Sequence, residues 1–220
     1  MAKITAIVAQ KNNSKRFSIF IDGVFSFGAD EDLMVDYRLI IGKEVLAEDI
    51  DKMIFESEVG KLMKRIYNLL SIRLRSENEI RRYIKNLSYK RKLKGSSLIS
   101  DTAVNLLIEK LNKKGLINDL QFAKSWVDSR RKNKKRGIKA LRAELFLKGI
   151  DREVIKQVLD EDLMGQSEEQ LADEALIKKL KLWKNLSKLE FKKKAYSYLA
   201  RNGFDFSIIS AVVEKQLKKV

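Results

Sequence analysis

From Val59 onward, apolar residues recur at the spacing of an α-helix, and no proline interrupts the chain anywhere in its 220 residues. In the first such segment, apolar residues fall at i, i+3, i+4, i+7 and i+11, which places them on one helix face. These residues are Val59, Leu62, Met63, Ile66 and Leu70. Because 45% of the residues are apolar and 35% are charged, the composition is typical of amphipathic helices with solvated outer faces. A mainly α-helical protein is expected.

The helical pattern also repeats along the chain. A shift of 54 residues superimposes Leu145 and Gly149 on Leu199 and Gly203. Self-similarity at such a period indicates tandem supersecondary units that bury one another's apolar faces. The predicted organisation is an N-terminal extension at 1–57 and three three-helix repeats at 58–115, 116–165 and 166–220.

The N-terminal extension differs from the repeats in its residue pattern. Runs of β-branched and aromatic residues at Ile4–Ala9, Phe17–Ile21 and Val24–Phe27 predict three short strands. Asp22-Gly23 lies between the last two runs and is a strong hairpin signal. A small antiparallel sheet is therefore expected. Two helices are expected after it, at 33–42 and near 47–55.

Little in the sequence points to catalysis. The chain has no histidine and no cysteine, so the commonest general base and the soft metal ligands are absent. Asp30–Asp32 and Asp160–Asp162 could attract a cation, but the first suits a helix N-terminus and the second an acidic linker. In addition, Met164 stands where a calcium loop needs an oxygen ligand. A non-enzymatic protein without a cofactor or metal is predicted.

The N-terminus lacks the features of a signal peptide, and no apolar run reaches the roughly 20 residues that would span a bilayer. We therefore expect no membrane association and a cytoplasmic location.

Positive charge is concentrated in the helical part. The net charge is −4 over residues 1–58 and +20 over residues 59–220. A field of this size favours nucleic acid or an acidic protein surface. The blocks at 90–94 and 130–136 are the densest, and crowded like charges repel without a counter-charge. The predicted contact residues are Arg73, Arg75, Arg81, Arg82, Lys85, Lys90, Arg91, Lys92, Lys94, Arg130, Arg131, Lys132, Lys134, Lys135, Arg136, Lys139, Arg142 and Lys148.

Three aromatic residues could serve either a nucleic acid or the core. Phe122 and Trp126 could stack on bases, as aromatic residues do in single-strand binders. Trp126 shares an apolar stripe with Ala123 and Val127, however, and Trp183 lies among leucines. Core packing is the prediction for both tryptophans.

Two segments resemble the bacterial RecX family: SIRLRSENEIRRYI, which begins at Ser71, and GLINDLQFAKSWVDSRRKNKKRGIKALRAELFLKGI, which begins at Gly115. The sequence has Arg136-Gly137 where the family usually has Lys-Gly, which keeps the charge. The resemblance is most specific over residues 65–160. The matching positions are Arg75, Ser76, Glu79 and Ile80, then Gly115–Asp119, Phe122, Ala123, Arg130, Gly137, Glu144, Leu145 and Lys148–Ile150.

The resemblance implies a curved, elongated body of three-helix repeats. A monomer is expected. It also implies a function: binding the RecA recombinase on single-stranded DNA and limiting filament extension. Two alternatives stay open from the residues alone. One is a general single-stranded DNA or RNA binder without a recombinase partner. The other is a transcription regulator, although long basic linkers fit poorly with the tight turn of a helix-turn-helix module.

Overall fold

The computed structural model describes residues 1–11, 13–163, 167–180 and 182–218. Contacts divide the chain into two compact units: residues 1–74 with 80–116, and residues 75–79 with 117–220. Within the described residues the chain forms four strands and ten helices. The predicted fold class, mainly α with a small N-terminal sheet, is confirmed.

The sheet of the first unit is antiparallel and has the strand order β3-β2-β1-β4. Asp22 and Gly23 connect β2 to β3 with positive φ angles of 49° and 79°, as a type I′ turn requires. The predicted hairpin is therefore confirmed, whereas the fourth strand was not predicted. The strands are β1 (Ala2–Gln10), β2 (Asn13–Ile21), β3 (Val24–Asp30) and β4 (Glu44–Val45).

The first helix, α1 (Glu31–Asp36), is shorter than predicted. The Asp30 carboxylate caps it by accepting a hydrogen bond from the Leu33 N–H at 3.1 Å. The helix was expected to continue to Gly42, but the chain turns earlier and places Leu39 in the core at 3% exposure. The Gly42 N–H then bonds to a carbonyl of β1 at 2.8 Å and leads into β4. Burial of Leu39 and strand pairing thus override helical periodicity.

A single helix of 24 residues, α2 (Ala47–Leu70), replaces the two helices predicted on either side of residue 57. The predicted boundary between 57 and 58 therefore falls inside an element. Gly60 does not interrupt the helix, and the Asp30 carboxylate lies so close to it that an added Cβ would collide with this side chain. One turn earlier, Ser57 and the buried Arg16 both bond to the Gly28 carbonyl, which joins α2 to the sheet.

Two more helices complete the first repeat, α3 (Glu77–Lys92) and α4 (Asp101–Lys113). α3 extends to Lys92, so only residues 93–100 connect it to α4. Ser100 caps α4, since its hydroxyl accepts the Ala103 N–H at 3.2 Å. Leu107 on α4 is fully buried, and α2 packs against this helix.

The second unit holds the remaining repeats. Asn118 caps the first of its helices, and Ser187 forms a reciprocal capping box with Glu190. Gly203 ends α9 in the left-handed conformation at φ 87°. The helices are α5 (Asp119–Lys134), α6 (Ile138–Leu147), α7 (Arg152–Leu163), α8 (Glu168–Leu180), α9 (Lys188–Asn202) and α10 (Phe206–Leu217).

Equivalent positions of the second and third repeats are buried to the same degree. Leu145 and Leu199, related by the 54-residue shift, are both 0% exposed. Ile155 and Ile209 are both 3% exposed. Each repeat has its own apolar core. The internal repeat therefore reflects equivalent packing as well as residue identity.

Candidate nucleic-acid interface

One face of α3 in the first unit carries solvent-exposed cations. Arg82, Lys85 and Lys92 follow one another at helical spacing, and all three are exposed. The buried face of the helix carries Ile80 and Ile84, which are 0% and 1% exposed. Within the described part of the chain, none of the three cations has an ion-pair partner. This surface, called the α3 face below, is therefore open to a polyanion.

An aromatic residue interrupts the α3 face between two of its lysines. Tyr89 lies four residues after Lys85 and three before Lys92, and it is 61% exposed. An exposed tyrosine ring among cations can stack on an unpaired base. Tyr89 was not among the predicted contact residues, although its spacing from the two lysines was a usable signal. Lys90 and Lys94 are exposed nearby in the chain.

Other predicted contact residues of the first unit are engaged internally. Arg91 Nη1 lies 2.5 Å from Glu58 Oε1 and ties α3 to α2. Arg81 Nη1 donates to Asn105 Oδ1 at 2.9 Å, and Arg73 donates to the adjacent backbone carbonyl at 2.8 Å. These cations have local structural partners that the sequence pattern did not reveal.

Arg131, at the centre of the second basic block, is buried at 6% exposure. Its Nε and Nη2 lie 2.9 and 2.5 Å from Asp162 Oδ2, at the end of α7. Its Nη1 donates to the Arg136 carbonyl at 2.7 Å and also pairs with Glu168 on α8. The sequence predicts Arg131 as a contact residue for nucleic acid, but its donors are used inside the protein and it is not exposed as a free cation.

Arg130 and Lys148 surround Trp126. The Arg130 guanidinium lies 4.1 Å from the ring centroid, and Lys148 Nζ lies 4.7 Å from it. Glu144 Oε2 accepts from Trp126 Nε1 at 2.9 Å and from Arg130 Nε at 2.6 Å. Lys148 also pairs with Glu79 at 2.6 Å. As predicted, Trp126 packs against the core of its repeat, so both cations support packing.

The rest of the basic segment between α5 and α6 joins the second repeat to the third. Arg136 Nη1 donates to the Arg201 carbonyl at 3.1 Å and to Asn202 Oδ1 at 3.0 Å. Arg136 Nε lies 3.4 Å from a Glu144 oxygen, close enough for an ion pair but without hydrogen-bond geometry. Lys135 pairs with Glu174 at 2.5 Å.

The two backbones approach closely at this joint. The Gly137 N–H donates to the Asn202 carbonyl at 2.8 Å, and the Lys139 N–H donates to the Gly203 carbonyl at 3.1 Å. A Cβ at either glycine would lie under 3.0 Å from backbone atoms of the other segment. Lys139 also pairs with Asp205 at 2.9 Å, and this hydrogen bond lowers the pKa of Asp205.

Few cations of the middle block remain open to solvent. Lys132, Lys134 and Arg142 are exposed and have no ion-pair partner within the described residues. Arg75 is half-buried, and its Nε has no hydrogen-bond partner in the part of the chain that the structure describes. Counting charges along the sequence therefore overestimates the cations that a ligand could reach.

A cleft of about 250 Å³ lies where the second repeat meets the third. We call it the repeat-junction cleft. The end of α5 and the following residues form one wall, while α8 and α9 form the other. Its lining includes Lys134, Lys135, Arg136, Lys178, Tyr198 and Asn202. Lys178 and Tyr198 were not predicted as contact residues, since no local pattern relates three segments so far apart in the chain.

The acidic clusters have structural roles. Asp30 caps α1, Asp162 pairs with Arg131, and Glu161 pairs with Lys124 at 2.7 Å. Met164, weighed as a calcium-loop position, lies outside the described residues. Across the described ranges, no group of three acidic side chains is arranged to hold a metal ion. Within them, no helix is long and apolar enough to cross a membrane.

Family models match three parts of the chain. Residues 2–46 match the regulatory protein RecX N-terminal domain. Residues 118–159 match the second three-helix domain of RecX, and residues 167–213 match the third. Similarity therefore extends beyond the region in which the sequence motifs are most specific, to the N-terminal sheet and the third repeat.

Whole-chain comparisons agree with the family models. The chain is 34% identical to regulatory protein RecX of Bacillus licheniformis over 215 residues, which cover 98% of this chain and 78% of the relative. It is also 34% identical to regulatory protein RecX of Bacillus subtilis, of which 77% is covered. A crystal structure of a regulatory protein RecX superimposes with a TM-score of 0.74 at 25% identity, covering 97% of this chain and all of that one.

Proposed function

Since the chain belongs to the RecX family of regulatory proteins, we propose that it regulates homologous recombination by binding RecA on single-stranded DNA. In this proposal it acts without catalysis and limits extension of the recombinase filament. The observation that carries the proposal is similarity over 98% of the chain to relatives named regulatory protein RecX. The cationic α3 face supports it, because a RecA filament presents both protein and DNA phosphate.

We propose that exposed cations without internal partners make the contacts with DNA. Such groups can exchange their counterions for phosphates without breaking the fold. Internally paired cations, such as Arg131 and Lys148, are assigned to stability instead. The proposed contact residues are Arg82, Lys85, Lys90, Lys92, Lys94, Lys132, Lys134 and Arg142.

Inhibition is expected at amounts well below those of the recombinase. A protein bound at the growing end of a filament, or lodged in its groove, blocks addition of every later subunit. One copy would then affect many RecA molecules. Charge would speed the encounter, while specific contacts would select the partner.

The test is RecA ATP hydrolysis on a long single strand, with this protein titrated from far below the recombinase concentration. We expect inhibition to begin while most of the strand carries none of this protein. The control variant Lys156→Gln changes one exposed lysine outside the proposed contact residues and should inhibit equally well. Inhibition that begins only when the strand is saturated would mean competition for DNA and would overturn the proposal.

A general single-strand binder is the second candidate, and Tyr89 is the observation that favours it. Its ring is 61% exposed among cations, which suits base stacking and requires no recombinase. The two candidates differ in one result of the same titration. A general binder would inhibit any enzyme that uses the strand, at the same strand occupancy and with no preference for RecA.

A further inference from the structure

The repeat-junction cleft contains more positive charge than its surroundings neutralise. Among the described residues, its lining carries no carboxylate and four cations, which are Lys134, Lys135, Arg136 and Lys178. Lys135 and Arg136 already interact with Glu174 and Glu144. Lys134 and Lys178 have no ion-pair partner in the described part of the chain. Two ammonium groups at one cleft repel each other unless an anion joins them.

The amount of excess charge suits one phosphodiester. The cleft lies near the C-termini of α5 and α8, and each helix end carries about half a negative charge. Glu174 and Glu144 contribute further negative charge, but Arg130 shares the Glu144 carboxylate, so about two to three of the four positive charges are offset. At least about one positive charge remains, which a single phosphodiester can neutralise. Attraction to the C-termini of the two helices therefore explains part of the positive charge in the cleft, and the rest remains without a counter-charge.

The cleft also has an aromatic wall. Tyr198 is half-buried, and its ring meets Trp183 edge to face, with centroids 6.0 Å apart. Lys179 Nζ lies 5.4 Å from the centroid of the same ring. The ring is thus held by neighbours on more than one element. Cations that follow a backbone, together with aromatic rings that contact bases, are the usual components of single-strand sites.

The cleft has the size of a small ligand. Its volume of about 250 Å³ is below the roughly 300–1,000 Å³ of pockets for drug-sized ligands. A phosphate with its sugar or base would fit such a space, whereas a folded segment of a partner would not enter it. An acidic side chain would pair with the cations but would have no sugar or base to pack against Tyr198.

We propose that the repeat-junction cleft binds one nucleotide of a single strand, with its phosphate between Lys134 and Lys178 and its sugar or base against Tyr198. This inference rests on the proposed binding of single-stranded DNA and extends that interaction into the third repeat. The new residues are Lys178 and Tyr198, which lie outside both basic blocks. An acidic peptide is the competing ligand that the experiment must exclude.

The first measurement is the salt dependence of binding to a fluorescein-labelled oligothymidylate of about 12 nucleotides, with the full chain. The double variant Lys134→Gln, Lys178→Gln should make the log–log slope shallower by about 0.7 for each phosphate that the protein no longer neutralises. The matched control is Lys156→Gln, Lys193→Gln, which removes the same charge from exposed sites outside the cleft. An equal change in both double variants would indicate general charge and overturn the inference.

The second measurement separates a nucleotide from a bare anion. Tyr198→Leu should bind oligothymidylate about tenfold more weakly. An unchanged affinity for an abasic strand of the same length would assign the contact to the base, whereas a reduced affinity would assign it to the sugar. Circular dichroism would show that each variant keeps its helical content. Equal affinity of Tyr198→Leu and wild type for both strands would exclude base or sugar contact. If the Lys134→Gln, Lys178→Gln substitutions weakened oligoglutamate binding as strongly as strand binding, the cleft would be a carboxylate site.

The ATPase titration keeps the two proposals distinguishable. Wild-type protein that fails to inhibit RecA would overturn the regulatory function while leaving the cleft to be decided by the binding measurements. Wild-type protein that inhibits RecA, with a cleft variant that binds the strand like its control, would overturn the cleft alone.

Discussion

Arg131 and Lys132 are neighbours in the chain but have opposite surroundings. Arg131 is 6% exposed and bonds to acidic groups on α7 and α8, whereas Lys132 is exposed. The helix turns by about 100° between them, so the Arg131 side chain points into the contact between the second and third repeats, and the Lys132 side chain points into solvent. A cation's role in this protein therefore depends on its helix face more than on the density of the block around it.

Arg131→Ala should destabilise the second unit by about 3–5 kcal/mol, since it leaves two largely buried carboxylates without their partner. Asp162 and Glu168 side chains are only 16% and 10% exposed. Lys132→Ala is the control and should change the free energy of unfolding by less than about 0.5 kcal/mol. Urea unfolding followed by circular dichroism measures both values. Similar midpoints for the two variants would contradict the assigned role of Arg131.

The pKa of Asp205 should be below the ordinary aspartate value of about 3.9. The Lys139 ammonium donates to its carboxylate, and the Phe206 N–H does so as well. Because the folded pKa is depressed, the stabilisation is present above pH 3.9 or so and is lost as the pH falls through the folded value. Lys139→Met should raise the pKa in a carboxyl NMR titration, while Lys215→Met, whose partner is Asp173, should not. An unchanged pKa in Lys139→Met would show that the pair does not form in solution.

Local signals predicted the elements best where they acted alone. The turn at Asp22-Gly23 is specified by two adjacent residues and was predicted correctly. The cap at Ser187 is likewise formed by residues only three positions apart in the chain. The end of α1 was not predicted correctly, because burial of Leu39 and the pairing of β4 with β1 override the helical pattern. The continuity of α2 was also not predicted, since this helix packs against β3, which is distant in the sequence. Gly203 ends α9 and also contacts the backbone of the second repeat, and no local sequence signal reveals this second role.

Gly203→Ala should destabilise the protein more than Gly115→Ala, although both glycines have positive φ. At Gly115 nothing lies within 4 Å of a new Cβ, so the cost should be only the left-handed backbone penalty of about 1–2 kcal/mol. At Gly203 the Cβ would also collide with the backbone of Ala140, adding at least about 1–3 kcal/mol. Thermal and urea melts of the two variants provide the comparison. Equal destabilisation would mean that the close approach at the joint is absent.

For the whole molecule, the net charge of +16 describes the field but not the contact surface. The family resemblance is confirmed by the comparisons, whereas the polyanionic partner suggested by the charge composition stays a prediction. The assignment of individual cations could not follow from the sequence. Arg131 meets Asp162 and Glu168, which lie 31 and 37 residues away, and Arg136 meets Asn202 at a separation of 66.

Binding to single-stranded DNA should depend steeply on salt through the α3 face. The triple variant Arg82→Gln, Lys85→Gln, Lys92→Gln should make the log–log slope shallower by up to about 2, if each cation neutralises one phosphate. The matched control replaces three exposed lysines outside α3: Lys64→Gln, Lys156→Gln, Lys193→Gln. Fluorescence anisotropy at several salt concentrations gives both slopes. A larger change of slope in the control would show that the main contact surface lies outside α3.

The close backbone contact between Gly137 and Gly203 should control hydrogen exchange of nearby amides in the native protein. The Gly137 and Lys139 amides donate to carbonyls at the end of α9, so both can exchange with deuterium only when the third repeat undocks. Their exchange rates would therefore report the free energy of that opening separately from global unfolding. The exchange of these two amide protons would thus measure separation of the third repeat from the second while each repeat keeps its own core.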